Sequence, residues 1–541
     1  VGLAAATVAS LAAPVPALAR DLHVAPGGTG DGSAGRPLGT VAEALLVARD
    51  GDRVLLHEGD YGDLLVRGTF GAETFVEAAP GETARLRTLE VRATNLTVRG
   101  LSVSLSHGSP YAPGTMVTVH GSSARVTVAD CDVFAVPDGV AATWDAAAWA
   151  SQAGTGISVR APDTRIVGNR VRNVGYGISV GHDAPRAYVA RNHVQNFSRD
   201  GLRGIGDDGV FEYNVVLDAY DVDDHHDDFF QSWSLGPDGA PGGGVRRGVV
   251  LRGNLFVNFT DPSRPFAGDA QGIGCFDGFF EGWVIENNVV IVNHWHGITL
   301  LGARDVRIVN NTLLDNRPGE RPGPPWIRVA AHKDGRPSSG VVIRNNLTPS
   351  LVLEAESSTE DHNVVYRDAA ALFVDPAGLD VHLRATATEA IDRGSADGAP
   401  AIDRDGIPRP QGAGVDVGAY EWHDGSAFPA DGGTAAPDAG PPPPSDGGPA
   451  GDGGGDGAAS ARDAGDAPSD AAAVAPPAGD AGGCGCAAPG AGEGARGASR
   501  GGAVTACAAL GASALLAARG GQRRRGRGPA RGPQPRARAK T

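Results

Sequence analysis

Ile166-Val167-Gly168-Asn169-Arg170-Val171-Arg172-Asn173, followed by Gly177-Ile178-Ser179-Val180, decides the fold. Apolar and polar residues alternate in two short bursts, with Gly and Asn where the bursts break, so the stretch reads as short strands joined by tight bends. The unit returns along the chain. Its first Asn recurs as Asn192, Asn214, Asn254, Asn288, Asn311 and Asn346; three intervals are 22–23 residues, and those of 40, 34 and 35 are one unit plus an insertion. A second column, Gly156-Ile157, Gly177-Ile178, Gly201-Leu202, Gly272-Ile273 and Gly297-Ile298, keeps step with the first. A β-rich repeat of this length marks a parallel β-helix. The expected fold is all-β: a single-stranded, right-handed parallel β-helix solenoid over residues 20–423. Its coils lie ~4.8 Å apart and stack Val, Ile and Leu into one core. The column Asn is expected to take left-handed φ at the bend and to bond the Asn one coil away in a ladder. The 81 Gly and 38 Pro beside 15 Phe and one Met suit many short strands better than packed helices.

A solenoid end exposes an unpaired strand edge and needs a cover. Thr40-Val41-Ala42-Glu43 predicts a capping box opening an N-terminal capping helix to about residue 49, before Gly51-Asp52 and the strand Arg53-Val54-Leu55-Leu56. With Asp21-Leu22-His23-Val24-Ala25-Pro26-Gly27-Gly28 and Gly59-Asp60-Tyr61, this segment resembles the entry of pectate-lyase-like β-helix proteins. Asp403-Arg404-Asp405-Gly406-Ile407-Pro408-Arg409-Pro410 and Gly418-Ala419-Tyr420-Glu421 are similar to the ending of bacterial members of that group. The resemblance spans nearly the whole body and implies the fold; the group includes lyases, hydrolases, epimerases and noncatalytic adhesins.

Both ends read as addresses. Residues 1–19 form an Ala-rich apolar run ending Ala17-Leu18-Ala19, the small-x-small pattern of a signal peptide. Residues 424–482 turn to Ala, Gly, Pro and Asp and read as a disordered linker. Residues 483–541 hold Gly483-Cys484-Gly485-Cys486, an apolar run at 503–518 expected to form a short helix, and Arg523-Arg524-Arg525. That order resembles the C-terminal sorting tails of myxobacterial surface proteins and implies processing and anchoring at the outer membrane or outer surface of a Gram-negative cell. A weak membrane helix with a basic stop is the alternative. Nine of the 47 basic residues lie between 519 and 540, so the body is more acidic than the net charge of −16. Such a body repels nucleic acid and other polyanions unless a cation bridges them. Cys131 and Cys275 read as buried thiols rather than a disulfide frame, and the body is expected to be monomeric.

One stretch breaks the repeat: Tyr220-Asp221-Val222-Asp223-Asp224-His225-His226-Asp227-Asp228-Phe229-Phe230-Gln231-Ser232-Trp233. Crowding like charges destabilises a chain, so so dense a cluster of Asp and His points to proton transfer, a metal, or both; a solvated acidic turn is the bland alternative. The Gly columns place Tyr176, Asp200, Asp228, Gln271 and His296 in one row, and Ser179, Arg203, Gln231, Gly274 and Thr299 in a second, three positions later. The rows outline a groove sized for a sugar chain. His226 to Gln231 with Gln271-Gly272-Ile273 resembles a His-x-Asp-x-x-Gln and Gln-Gly-Ile pair of exported β-helix proteins. Tyr220-x-x-Asp223-x-His225 resembles the Tyr, Asp and His of alginate epimerases, with Asp221 and Asp224 in place of that motif's Gly and Pro.

Abstracting a proton beside a sugar carboxylate needs a base and a neutralising cation. Asp223, His225, His226, Asp228 and Arg203 are the catalytic candidates, with Arg203 or His226 as base or partner. Asp200, Gln231, Trp233, Gln271 and His296 are the substrate-binding candidates. Asp223, Asp227 and Asp228 offer oxygen ligands for Ca²⁺, whereas His225 and His226 would favour a transition metal. The body's one Lys, Lys333, would have to carry any lysine-based mechanism alone. Paired Asp could instead run glycoside hydrolysis. His294-Trp295-His296 reads as surface bend or groove, and the Ala-rich stretch 144–153 as a short packing helix. Two functions follow: a polysaccharide-active enzyme of lyase, epimerase or glycoside hydrolase type, or a noncatalytic surface adhesin or glycan-binding protein.

Overall fold

Each repeat closes one coil of three short strands in the computed structural model, which describes residues 19–425. Tyr176–Val180, Tyr188–Ala190 and His193–Phe197 make one such coil. Every strand pairs in parallel with its counterpart on the next coil: Ile178 with Leu202, Tyr188 with Val210, His193 with Val215. The first two columns join into a 22-stranded sheet where the long strands Asp63–Ala78 and Thr88–Arg99 run across both; the third is a 12-stranded sheet. Parallel pairing in sequence order is the expected β-helix, and right-handed winding follows from the twist of L-residue strands. Ile157, Ile178, Leu202, Phe230, Ile273, Ile298 and Ile327 stack through the core, all buried.

Thr40 caps the helix Val41–Val47 with both halves of the capping box formed. The helix stops short of residue 49 because Ala48 turns extended, at φ −65° and ψ 144°. Val41 and Ala44 are buried under it and close the first coil.

The Asn column forms the expected ladder. Nδ2 of Asn169 donates to Oδ1 of Asn192, and the pattern repeats through Asn214, Asn254, Asn288, Asn311 and Asn346, at 2.9–3.0 Å per step. It runs one coil further, to Asn363, which the short 17-residue interval concealed. From Asn192 onward each ladder oxygen also accepts the backbone N–H of the preceding ladder Asn, as Asn254 Oδ1 does from Asn214 at 3.0 Å, and Asn169 Oδ1 accepts from Cys131 N–H. The backbone expectation is corrected. Left-handed φ falls on the residue before each ladder Asn: Gly168, Arg191, Tyr213, Gly253, Asn287, Asn310, Asn345 and His362, at +53° to +68°. As far as Asn346 the following Asn is buried, and its side-chain amide is satisfied by the neighbouring ladder Asn and by a backbone carbonyl, as Asn254 Nδ2 donates to Asn288 Oδ1 and to Phe211 O.

After the last coils, the helix Ala369–Leu372 and the antiparallel pair Phe373–Asp375 and Asp380–Leu383 lead into a returning segment. Tyr366, Phe373, Val417 and Tyr420 pack on Val289, Ile291, Leu314 and Leu347 of the third column. Asn287 and Asn310 donate to Ile402 and Asp416 carbonyls, and buried Arg409 pairs with buried Glu421 at 2.6 Å. The closing sequence is thus a strap over the last coils.

Cys131 and Cys275 are buried free thiols, and burial lifts the Cys131 thiol to about 12. Among the described residues, no helix is long and apolar enough to cross a membrane. The leader, the linker beyond residue 425, Cys484, Cys486 and the basic tail lie outside the described residues.

Candidate functional site

The site grows from the first strand column. Asp228 pairs directly with Gln271, and the ladders Ile178–Leu202, Leu202–Phe230 and Ile273–Ile298 bring Tyr176, Asp200, Asp228, Gln271 and His296 into one row. Ser179, Arg203, Gln231, Gly274 and Thr299 form the second row in consecutive register. A bulge after His296 sets it beside Trp326, which pairs in turn with Ser350.

The rows are tied within each coil. Arg203 Nε donates to Asp200 Oδ2 at 2.8 Å, Gln231 Nε2 to Asp228 Oδ2 at 2.9 Å, and His296 Nδ1 lies 3.0 Å from Thr299 Oγ1. Gln271 breaks the pattern because its partner position is Gly274. A Cβ there would lie 2.2 Å from Asp228 Oδ1, so glycine is what lets the carboxyl fold over the next coil. Asp228 Oδ1 and Gln271 Oε1 are both buried acceptors without a hydrogen-bond donor. Such orphans are uncommon and mark functional or ligand-completed sites.

Asp228 is wholly buried, and burial raises its carboxyl to about 7 despite the bond from His226. His226 stands over it, 45% exposed, with Nδ1 3.3 Å from Asp228 Oδ2; that bond raises the imidazole above its ordinary range. Its Nε2 is left open to the groove. His225 differs from its neighbour: Nδ1 bonds Asp223 at 2.7 Å and Nε2 faces Arg199 at 2.6 Å, so both nitrogens are spent on holding the loop. Arg203, tied to buried Asp200, lies between the faces of Tyr176 and Trp233, at 4.3 and 4.9 Å from the ring centroids. Those contacts place a fixed cation and two aromatic faces along the groove.

The acidic loop is propped from outside the repeat. Tyr220 stacks on Trp149 of the inserted helix Ala146–Gln152, at 4.2 Å between centroids, and Arg264 lies over its other face. Tyr220 is therefore packing, unlike the Tyr that the epimerase resemblance implied. A cavity of ≈ 190 Å³ opens beside His226, lined by Asp221, Asp224, Asp227, Asp269, Gln271 and His294 among others. Burial first, then neighbouring acids, holds Asp221 and Asp227 above the usual carboxylate range.

Asp223 is committed to His225 and Arg199, Asp228 is enclosed by Gly274, and among the described residues no three His, Cys, Asp or Glu side chains are arranged to hold a metal. Lys333 bonds Asp277 at 2.7 Å, at the far end of the strand Gln271–Asp277 from His226.

Three contributors escaped sequence reasoning. Arg199 directly precedes the row residue Asp200, a position that carried the signal. Asp269 sits on a loop insertion with no register to read. Trp326 is displaced by the insertion before it, and its Nε1 donates to Thr299 Oγ1 at 3.0 Å.

No protein-family model matches the chain, and no curated protein matches it. Among solved structures, pectate lyase Pel9A is 15% identical, over 75% of this chain and 96% of that one, with a TM-score of 0.43. The A-module of the Azotobacter vinelandii mannuronan C-5 epimerase AlgE6 is 14% identical, over 60% and 93%, at 0.34. PfbA, a surface adhesin of Streptococcus pneumoniae, is 10% identical, over 58% and 80%, at 0.36. Likenesses this distant leave the chemistry to the residues themselves.

Proposed function

We propose that this chain is an exported, surface-held protein whose groove binds polysaccharide and acts on it by general acid–base chemistry at His226. The observation that carries this reading is an exposed imidazole hydrogen-bonded to a wholly buried carboxyl, midway along in-register rows of polar and aromatic side chains. Asp228 holds the Nδ1 proton and orients the ring, leaving Nε2 to take or give a proton at the sugar. Arg203 supplies positive charge where oxygen charge develops, and Trp233 a face on which a sugar ring can rest. Asp200 positions Arg203, and Gln231 positions Asp228. Asp223, Asp227 and Asp228 remain the proposed oxygen ligands should Ca²⁺ take part, and no step is routed through it. The leader-like run, the linker and the tail support export and surface anchoring of a monomeric body.

The test is turnover of a polysaccharide panel by the purified protein, scored for unsaturated products and new reducing ends, with Ca²⁺ and with chelator. His226→Ala should reduce turnover at least about 100-fold, the contribution typical of a general acid or base, and leave the fold intact because the side chain lies on a loop. Unchanged turnover would remove His226 from the chemistry. Binding without any product would assign the groove to adhesion.

A further inference from the structure

We infer that the cavity beside His226 is a subsite for an uncharged sugar ring read through its hydroxyl groups, so that the polysaccharide is a neutral glycan rather than a uronan. The inference rests on the proposed polysaccharide site and narrows its substrate class.

Hydrogen bonding fixes what the cavity offers. His296 backbone N–H donates to His294 Nδ1 at 3.0 Å, so His294 is the tautomer with its proton on Nε2, the nitrogen left for a ligand. Thr299 Oγ1 accepts from Trp326 Nε1 at 3.0 Å and lies 3.0 Å from His296 Nδ1, which ties the ring of His296 into the same wall. Burial drops these imidazoles to about 4 and about 3, so they remain uncharged donors near neutral pH.

Gln271 borders the same cavity, is 7% exposed, and has a buried amide oxygen without a donor. Its in-coil partner position is Gly274, so nothing in the repeat was provided to satisfy it. Asp221, Asp224, Asp227 and Asp269 line it together with His225, His226 and Ala270, and no Lys or Arg is among the lining residues. A carboxyl accepts hydrogen bonds and, where burial keeps its proton on, donates one as well; His294 donates from Nε2, and the Gln271 amide does both.

A sugar hydroxyl, donor and acceptor at once, answers all three. A uronate carboxylate only accepts. It would add a further negative charge beside four Asp side chains, among which burial and mutual repulsion already hold Asp221 and Asp227 above the usual carboxylate range. Trp295 and Trp326 lie nearly parallel, 6.2 Å apart, with His296 against both, so an aromatic cluster adjoins His294; aromatic faces are what the C–H face of a pyranose packs on.

The purified protein is titrated with neutral glycans (galactan, mannan, β-glucan), with alginate and polygalacturonate, and with chitosan, at low and high salt, with EDTA and with Ca²⁺. A neutral glycan should bind in EDTA with little salt dependence. His294→Ala should weaken it about tenfold, the loss of one buried hydrogen bond, whereas His294→Gln, which can donate from the same side, should stay within about threefold. Asp221→Asn with Asp269→Asn, both on exposed loops, should let a uronan bind at least about fivefold better, as repulsion falls, a gain that a neutral glycan does not share.

Binding of alginate or polygalacturonate in place of neutral glycans, dependence on Ca²⁺, preference for chitosan, or an unaltered His294→Ala would overturn the inference. Failure to bind any glycan would instead bring down the polysaccharide reading beneath it.

Discussion

Replacing Asp228 with Asn probes the electrostatic centre of the site. The carboxyl is fully enclosed, with Oδ2 facing Gln231 and His226 and Oδ1 pressed over Gly274 without a donor. Burial lifts it from the ordinary 3.8 to about 7. A carboxyl whose folded pKa exceeds its unfolded one binds protons better in the native state. The native fold therefore loses stability as pH rises from about 4 to about 7, and the loss is complete above that. Roughly three pKa units correspond to about 4 kcal/mol. His226, raised by its bond to Asp228, acts in the same direction: its contribution is present at low pH and fades as pH rises through its folded value. Asn keeps the shape and can still accept from His226. Urea midpoints of Asp228→Asn at about pH 5 and about pH 8 should therefore converge, and at the higher pH the variant should exceed wild type by about 2–4 kcal/mol while turnover falls. A variant with the wild-type pH slope, or one less stable than wild type at the higher pH, would refute this account.

Asn254→Ala removes two bonds the side chain donates, to Asn288 Oδ1 and Phe211 O, and strands the Asn214 amides that it accepts. The expected loss is about 3–5 kcal/mol in urea unfolding, against about 1 kcal/mol for Asn363→Ala at the half-exposed ladder end, where water can substitute. Arg409→Ala leaves Glu421 buried without its partner, so the strap should loosen by about 3–5 kcal/mol, with limited proteolysis cutting residues 384–425 while the coils survive.

The solenoid was legible because repetition makes a coil's neighbours predictable from the period. Both rows of the groove were written in the Gly columns, and the strand ladders bear out each member from Tyr176 to Thr299. The ladder partners of the Asn column followed equally. Its backbone conformation did not, because Asn is also at home in left-handed φ, and the composition does not show which of two adjacent bend residues takes it. The division of labour between His225 and His226 was likewise hidden, since it depends on Arg199 arriving from the coil before.

What the sequence determined by itself is the scaffold: the period, the buried stripe, the cap and the order of residues along the groove. All of these are properties of spacing. Tertiary structure alone decided which polar groups are enclosed and which remain open. Enclosure depends on the side chain lying on the next coil and on loops of irregular length. Gly274 admits Asp228, Trp149 props Tyr220, and the loop carrying Asp269 lines the cavity. A carboxyl's proton affinity follows from what surrounds it in space, and no period along the chain encodes those surroundings.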